Sequence, residues 1–223
     1  TSEDGGPDMN RLFGHRPGAR TPMAGAARAL FDGLCAHADL TIDLHAGGHW
    51  WCVPHARAYR DALRSYYPFL GLPYVIEFDR CPRGILFREL AASGRLALTI
   101  EIGRGSVVED ELVRRIAARV ANVLSALGCL SGRPERHRYV AGPPGRPQTA
   151  TTDGFFHPLV RPGTQVRAGQ PIGTLEPLSG TGPRIVCAAH AGLVLSTLTP
   201  GPAWRGTELA DIASPPGRRG RRS

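Results

Sequence analysis

The run Thr41-Ile42-Asp43-Leu44-His45-Ala46-Gly47-Gly48 is the stretch of this chain whose residue types and spacing suit chemistry. Leu40, Ile42 and Leu44 alternate with Thr41, Asp43 and His45, the two-residue period of a β-strand. Ala46-Gly47-Gly48 is expected to end that strand and to let other groups approach the backbone. A histidine at the carboxyl end of a strand stands where open α/β sheets place their ligands. Asp43, two residues back on the same face, is placed to orient the imidazole, as carboxylates do for metal-bound histidines. A second run repeats the arrangement: Leu96, Leu98, Ile100 and Ile102 alternate with Ala97, Thr99 and Glu101, and Gly103-Arg104-Gly105 follows. A third polar feature, Asp8-Met9-Asn10-Arg11, lies in a segment otherwise composed for turns. Taken alone, His45 reads as a hydrogen-bonded strand end; its company gives it a chemical reading.

The elements that must position these residues alternate between helix and strand. Thr21 can cap a helix that opens with Pro22 and carries Met23, Ala26, Ala27, Leu30, Phe31 and Leu34 at helical spacing. Tyr59, Ala62, Leu63 and Tyr66 predict a second helix, Tyr74 to Phe78 a short strand, and Ile85 to Ala92 a short helix. Ser106 and Glu109 have the spacing of a capping box. The helix behind it would bury Leu112, Ile116, Val120, Val123, Leu124 and Leu127 and stop at Gly128. This alternation predicts a three-layer α/β domain over residues 1–130. Residues 131–150, rich in Pro, Gly and Arg, read as a linker, and residues 214–223 as a basic, disordered tail.

Between them, residues 151–213 carry short β-rich runs separated by Gly/Pro turns, which predicts a small β-barrel or sandwich. Its Pro162-Gly163-Thr164-Gln165-Val166-Arg167-Ala168-Gly169-Gln170 turn and Ala191-Gly192-Leu193-Val194 return resemble the biotinyl/lipoyl barrel-sandwich domains. Those carriers attach their cofactor to a lysine. This chain has none, so the resemblance implies a structural or lid-forming module and no swinging arm.

Bulk properties narrow the classes. Apolar content of 42% with 21% charged residues is that of an ordinary globular protein. No apolar run approaches the roughly 18–20 residues of a membrane span, and Thr1-Ser2-Glu3-Asp4-Gly5-Gly6 has no signal-peptide character, so a cytoplasmic location without a membrane partner is expected. The net charge of +8 comes from 27 basic residues, all arginine, and four of them lie in the tail at 218, 219, 221 and 222, leaving +4 for the body. With no basic, aromatic-interleaved face, nucleic acid is not an expected partner. The cysteines at 35, 52, 81, 129 and 187 form no CxxC pair and leave one over, which fits reduced thiols.

In order along the chain, Asp4-Gly5-Gly6 with Met9-Asn10-Arg11, Ile42-Asp43-Leu44-His45-x-Gly47-Gly48 and Thr99-x-Glu101-x-Gly103 resemble the succinylglutamate desuccinylase/aspartoacylase family of zinc hydrolases, relatives of the zinc carboxypeptidases. The closest branch is the deacetylases acting on N-acetylated diamino acids. The resemblance implies a zinc-carboxypeptidase-like domain followed by the β-rich domain, and hydrolysis of the amide bond of a small N-acylated amino acid. It implies that His45 is a zinc ligand and that Glu101 is the general base that moves a proton from water to the leaving amine. Asn10 and Arg11 would hold the substrate carboxylate, a task suited to the planar guanidinium fork.

The departures from the pattern are as specific as the matches. The family draws two further zinc ligands, a histidine and a glutamate, from a Gly-x-His-Gly-x-Glu segment upstream of Asn-Arg, and the nine residues before Asn10 contain no histidine. Its carbonyl-polarising arginine would also fall at or before Thr1. The expectation is therefore a chain lacking its first strands, with one zinc ion whose other ligands lie upstream of Thr1, and with sheet edge exposed where those strands pair. Gly14-His15 replaces a usual Pro-Gly, and Arg104 stands where glycine is common. His49, Cys52 and His55 follow His45 closely, but their spacing matches no established zinc pattern. His37, His137, His157 and His190 have no nearby partners along the chain and are assigned to structure or surface. Two readings stay open: a metal-dependent amidohydrolase, and a non-catalytic relative serving as a binding or assembly module. A homo-oligomer is compatible with either.

Overall fold

In the computed structural model the described residues are 8–14, 21–59, 63–104 and 107–213. Asp4-Gly5-Gly6, His15, Ser106 and the basic tail lie outside them. The chain forms two compact units, one of Thr1–Leu44, Arg57–Ser65 and Glu77–Ile100, the other of His45–Ala56, Tyr66–Ile76 and Glu101–Ser223.

The first helix, α1 (Pro22–Gly33), starts as its sequence demands. Thr21 has extended backbone, its hydroxyl accepts from Ala24 N at 3.2 Å, and Pro22 fills the first helical position. The apolar stripe is used differently from the expectation, because Ala24 and Ala27 are buried while Leu30 and Leu34 are exposed. Small alanines let the helix approach closely, and the core of the first unit is completed by Phe13, Cys35, Leu86, Phe87, Leu90 and Ala97.

Strand β1 (Leu40–Gly47) runs through Ala46 and Gly47 instead of ending at His45. It is followed by β2 (Trp50–Cys52) and β3 (His55–Tyr59). Among the described residues between Tyr59 and Tyr66 no α-helix forms, and Ala62 of the expected helix lies outside them. Tyr59 closes β3, Arg64–Tyr66 is a single 3₁₀ turn, and α2 is the short Tyr67–Leu70. The physical reason lies in β3, where Ala56 and Ala58 are fully buried, small side chains filling a strand that has neighbours on both sides. Strand β4 (Tyr74–Phe78), helix α3 (Leu86–Ala92) and strand β5 (Leu96–Arg104) fall where the periodicity put them. Helix α4 (Asp110–Ala126) begins after Glu109, which takes the capping position with no side-chain cap bond; Ser106 of the expected capping box lies outside the described residues. Gly128, at φ 76°, follows its end. Strand β6 (Val140–Gly142), within the segment read as a linker, pairs in parallel with β4, and the sheet order is β1-β5-β3-β4-β6, with β1 at its edge among the described strands.

The remaining strands are β7 (Gln148–Thr149), β8 (Gly154–Pro158), β9 (Gln165–Val166), β10 (Pro171–Pro177), β11 (Arg184–Cys187), β12 (Gly192–Leu198), β13 (Gly201–Ala203) and β14 (Glu208–Ala213). They form two sheets, β11-β10-β8-β13 and β2-β12-β14-β7 with β9 also on β12, and among the described residues no closed barrel. Phe156 and Leu175 from one sheet and Leu198 and Leu209 from the other share one buried cluster, the face-to-face packing of a sandwich. The two halves of the barrel-sandwich-like motif meet here, Val166 opposite Gly192 and Gln165 opposite Leu193. The whole is a mixed α/β fold with several sheets.

Candidate active site

His45 and Glu101 come together. Strands β1 and β5 are neighbours in the sheet, and near their carboxyl ends His45 Nδ1 lies 3.8 Å from Glu101 Oε1. Their side chains are 32% and 16% exposed, accessible to a small molecule yet partly desolvated. The end of β5 beyond Glu101 is held from behind. Cys52 Sγ donates to Gly103 O at 3.4 Å, and a Cβ on Gly103 would come within 2.8 Å of Leu112 Cδ2, so helix α4 closes against the strand end at this glycine. No spacing in the sequence announces Cys52 as that support.

Asn10 and Arg11 belong to the first unit, His45 and Glu101 to the second. Asp8 Oδ1 accepts from Asn10 N at 2.8 Å and folds Met9–Arg11 into a 3₁₀ turn. Asn10 Oδ1 in turn accepts from Leu86 N at 2.8 Å, the first helical amide of α3, whose own capping residue Ile85 offers no side-chain acceptor. Phe13 N donates to Gly84 O at 3.0 Å, and Gly84 (φ 94°) passes so close that a Cβ there would lie 2.1 Å from Arg11 O. The turn is thus pinned to the start of α3 at three points. This fixes the side chain of Asn10 through its oxygen.

Three arginines and two carboxylates surround Arg11 and Cys81, with Arg11 paired to Asp8 at 3.4 Å. Burial pushes the Cys81 thiol up, while the guanidinium groups of Arg88, Arg11 and Arg57 act on it in the opposite direction and Glu89 raises it further. Arg88 Nη1 pairs with Glu89 Oε1 at 2.9 Å and stacks 5.9 Å from the centre of the Tyr59 ring. In a chain whose every basic residue is arginine, composition could not single out Arg57 and Arg88. Asp43, expected to orient His45, acts on the Cys35 thiol, which is raised by burial first and by the Asp43 charge second, against a hydrogen bond from Thr41.

The donor set was tested against zinc. Catalytic zinc typically takes three protein ligands, and among the described residues no three His, Cys, Asp or Glu side chains are gathered to hold a metal. His45 has the right donor chemistry, but the described residues do not by themselves make up the site. Nor do the histidines nearby supply it. His55 is buried, with Nδ1 donating to Val53 O at 2.9 Å, and His49 is an exposed turn residue. Two of the histidines without partners along the chain have them in space: His137 Nε2 meets Arg119 at 2.7 Å, and His190 Nε2 donates to Ile212 O at 2.9 Å. All five cysteines are free thiols.

Residues 2–127 match the succinylglutamate desuccinylase/aspartoacylase catalytic domain. The chain belongs to the succinylglutamate desuccinylase/aspartoacylase family. Its fold is similar to the product-bound structure of the ectoine utilization protein EutE (DoeB) from Ruegeria pomeroyi, at 26% identity and a TM-score of 0.80 over 92% of this chain and 66% of that one. It is also similar to a succinylglutamate desuccinylase/aspartoacylase from Rhodobacter sphaeroides (23% identity, TM-score 0.81, 97% and 70% covered). A third likeness is to an aspartoacylase family protein from Mesorhizobium loti (21%, 0.78, 96% and 68%). The chain thus spans about two thirds of the length of these relatives. No curated protein matches it by sequence. No helix among its described residues is long and apolar enough to cross a membrane.

Proposed function

We propose that this protein hydrolyses the amide bond of a small N-acylated amino acid, with Glu101 as the proton-transferring residue. The observation that carries the reading is the His45–Glu101 pair, 3.8 Å apart near the ends of neighbouring strands, within the stretch that matches the family's catalytic domain. In the reaction, water adds to the amide carbonyl carbon, the carbon–nitrogen bond breaks, and the products are a carboxylate and an amine. Glu101 accepts the proton of the attacking water and returns it to the departing nitrogen. Asn10 and Arg11 are assigned the substrate carboxylate, Arg11 through its bidentate fork and Asn10 through its amide nitrogen. The arginines around Cys81 support an anionic substrate group near Arg11. The resemblance to deacetylases of N-acetylated diamino acids, and the likeness to an ectoine utilization protein, support trying a short acyl group on a diamino acid first.

The zinc reading gives His45 one ligand position and requires further donors from outside the described residues. When bound, the ion would polarise the carbonyl and lower the pKa of water. A second reading, a non-catalytic binding module, is favoured by one observation, the absence of a three-donor group among the described residues.

The test is amine release from N-acetyl and N-succinyl amino acids by the natural full-length protein, with its metal content measured in parallel. Glu101→Gln keeps the side-chain shape and is expected to lose about 10²–10⁴-fold in rate. Full activity in Glu101→Gln would sink the mechanism. A folded full-length protein that hydrolyses none of these substrates and holds no metal would leave the binding-module reading standing.

A further inference from the structure

Helix α4 presents Arg115 and Arg119 one turn apart, hence on one face. Both line a cavity of about 230 Å³ whose other walls include Val53, Pro54, Leu72 and Pro73. Arg119 is fixed there. Its Nη1 donates to His137 Nε2 at 2.7 Å, and its side chain lies across Gly71, where a Cβ would come within 2.5 Å of Arg119 Cδ. Gly71 has φ 59°, so its missing side chain serves the turn and the close approach together. The Arg119–His137 bond gives the guanidinium an imidazole and no carboxylate as its partner. Glu135 approaches His137 at 3.6 Å, but among the described residues neither Arg115 nor Arg119 forms an ion pair with a carboxylate.

Two guanidinium groups outside any ion pair among the described residues, at a cavity with apolar walls, define the ligand by contrast. A hydrated inorganic anion would leave the Val, Pro and Leu walls unused, and a neutral hydrocarbon would leave the arginines unpaired. We propose that this cavity is a second binding site, separate from the His45–Glu101 pair, for a small monocarboxylate with an apolar body. Charge-assisted bonds to the carboxylate are roughly twice as strong as neutral ones, and the apolar carbons replace water against the walls. The cavity is smaller than the roughly 300–1,000 Å³ of a drug-sized site, which limits the body to about one ring or a short branched chain. The inference does not rest on the hydrolase reading.

Benzoate and its neutral isostere benzamide are the probes, titrated into the whole protein by calorimetry and followed by NMR. Benzoate is expected to bind saturably at one site, more weakly as salt is raised, with benzamide at least about tenfold weaker. Arg115→Met and Arg119→Met should each weaken benzoate at least about fivefold, while Arg11→Met leaves it unchanged. Arg115 is exposed, so its variant remains informative even if loss of the Arg119–His137 bond prevents folding. No saturable binding up to about 10 mM, equal binding of the two probes, or undiminished benzoate affinity in Arg115→Met would each overturn the proposal. Loss of binding in Arg11→Met alone would put benzoate at the Asn10–Arg11 turn and overturn it as well.

Discussion

Asn10 offers a perturbation that separates holding the fold from recognising a substrate. Its Oδ1 is the acceptor for Leu86 N at 2.8 Å, and the turn before it is fixed by Asp8. Asn10→Ala removes that acceptor from the start of a seven-residue helix with no side-chain cap of its own. Loss of a cap of this kind costs about 1 kcal/mol, which in a protein of this size lowers Tm by roughly 2–4 °C. Asn10→Asp keeps an oxygen in the same place and adds negative charge at a helix amino terminus, a stabilising position by about 0.3–1 kcal/mol, offset by the nearby Asp8 carboxylate. Its Tm should stay within roughly 2 °C of the parent. Activity should behave in the opposite way. Asp lacks the donor and sets a negative charge beside the proposed substrate carboxylate. Two like charges 4 Å apart repel by about 4 kcal/mol at an effective dielectric of about 20. Arg11 is more than half exposed, so screening reduces this, and a loss of at least about tenfold in kcat/KM, carried by KM, is expected. Thermal melts and steady-state kinetics on both variants decide the matter. An Asp variant as active as the parent removes Asn10 from substrate recognition, and an Ala variant with unchanged Tm refutes the cap.

Gly103→Ala sets a methyl 2.8 Å from Leu112 Cδ2 and should destabilise by about 1–3 kcal/mol, with Leu112→Ala in the same chain restoring part of the loss; a chemical-denaturation cycle measures it. The Tyr74 phenol is pushed up to about 12 by burial first and by the Asp211 carboxylate second. Because the folded state keeps this proton where the unfolded chain loses it near 10, stability should fall as pH rises from about 10 to about 12. Urea midpoints across that range should fall less steeply in Tyr74→Phe, and identical slopes would show that Tyr74 is not the group responsible.

What could be read from the sequence was local, and what could not was distant along the chain. Alternation at Leu40–His45 and Leu96–Ile102 marks two strands because one face of each excludes water over consecutive residues. Thr21-Pro22 marks a helix start because the acceptor and the amides it caps are neighbours. His55-Ala-Arg-Ala-Tyr59 escaped because alanine carries no strand preference of its own; Ala56 and Ala58 are buried in a strand with neighbours on both sides, which no local pattern announces. Trp50–Cys52 pairs with Ser196–Leu198, and Asn10 caps an amide at Leu86. Both contacts are paid for by chain closure over long loops, and no spacing rule encodes either partner. For the same reason His45 and Glu101 could be named, but their separation could not.

That separation bears on whether the pair is structural. A His–Glu contact at 3.8 Å between partly exposed side chains contributes about 0–1 kcal/mol as an ion pair, and only while the imidazole is protonated. Stability alone is therefore a weak reason to set an imidazole and a carboxylate near the ends of adjacent strands. The backing is built more firmly than the pair itself. Cys52 bonds the Gly103 carbonyl, and Leu112 lies where any side chain on Gly103 would stand. Rigid support behind an accessible imidazole and carboxylate, 32% and 16% exposed, is the arrangement expected of groups that meet a small molecule. If the pair were only a structural contact, Glu101→Gln would leave the rate of the folded protein close to that of the parent. The chemical reading requires the reverse: a Tm close to that of the parent and a rate lower by orders of magnitude.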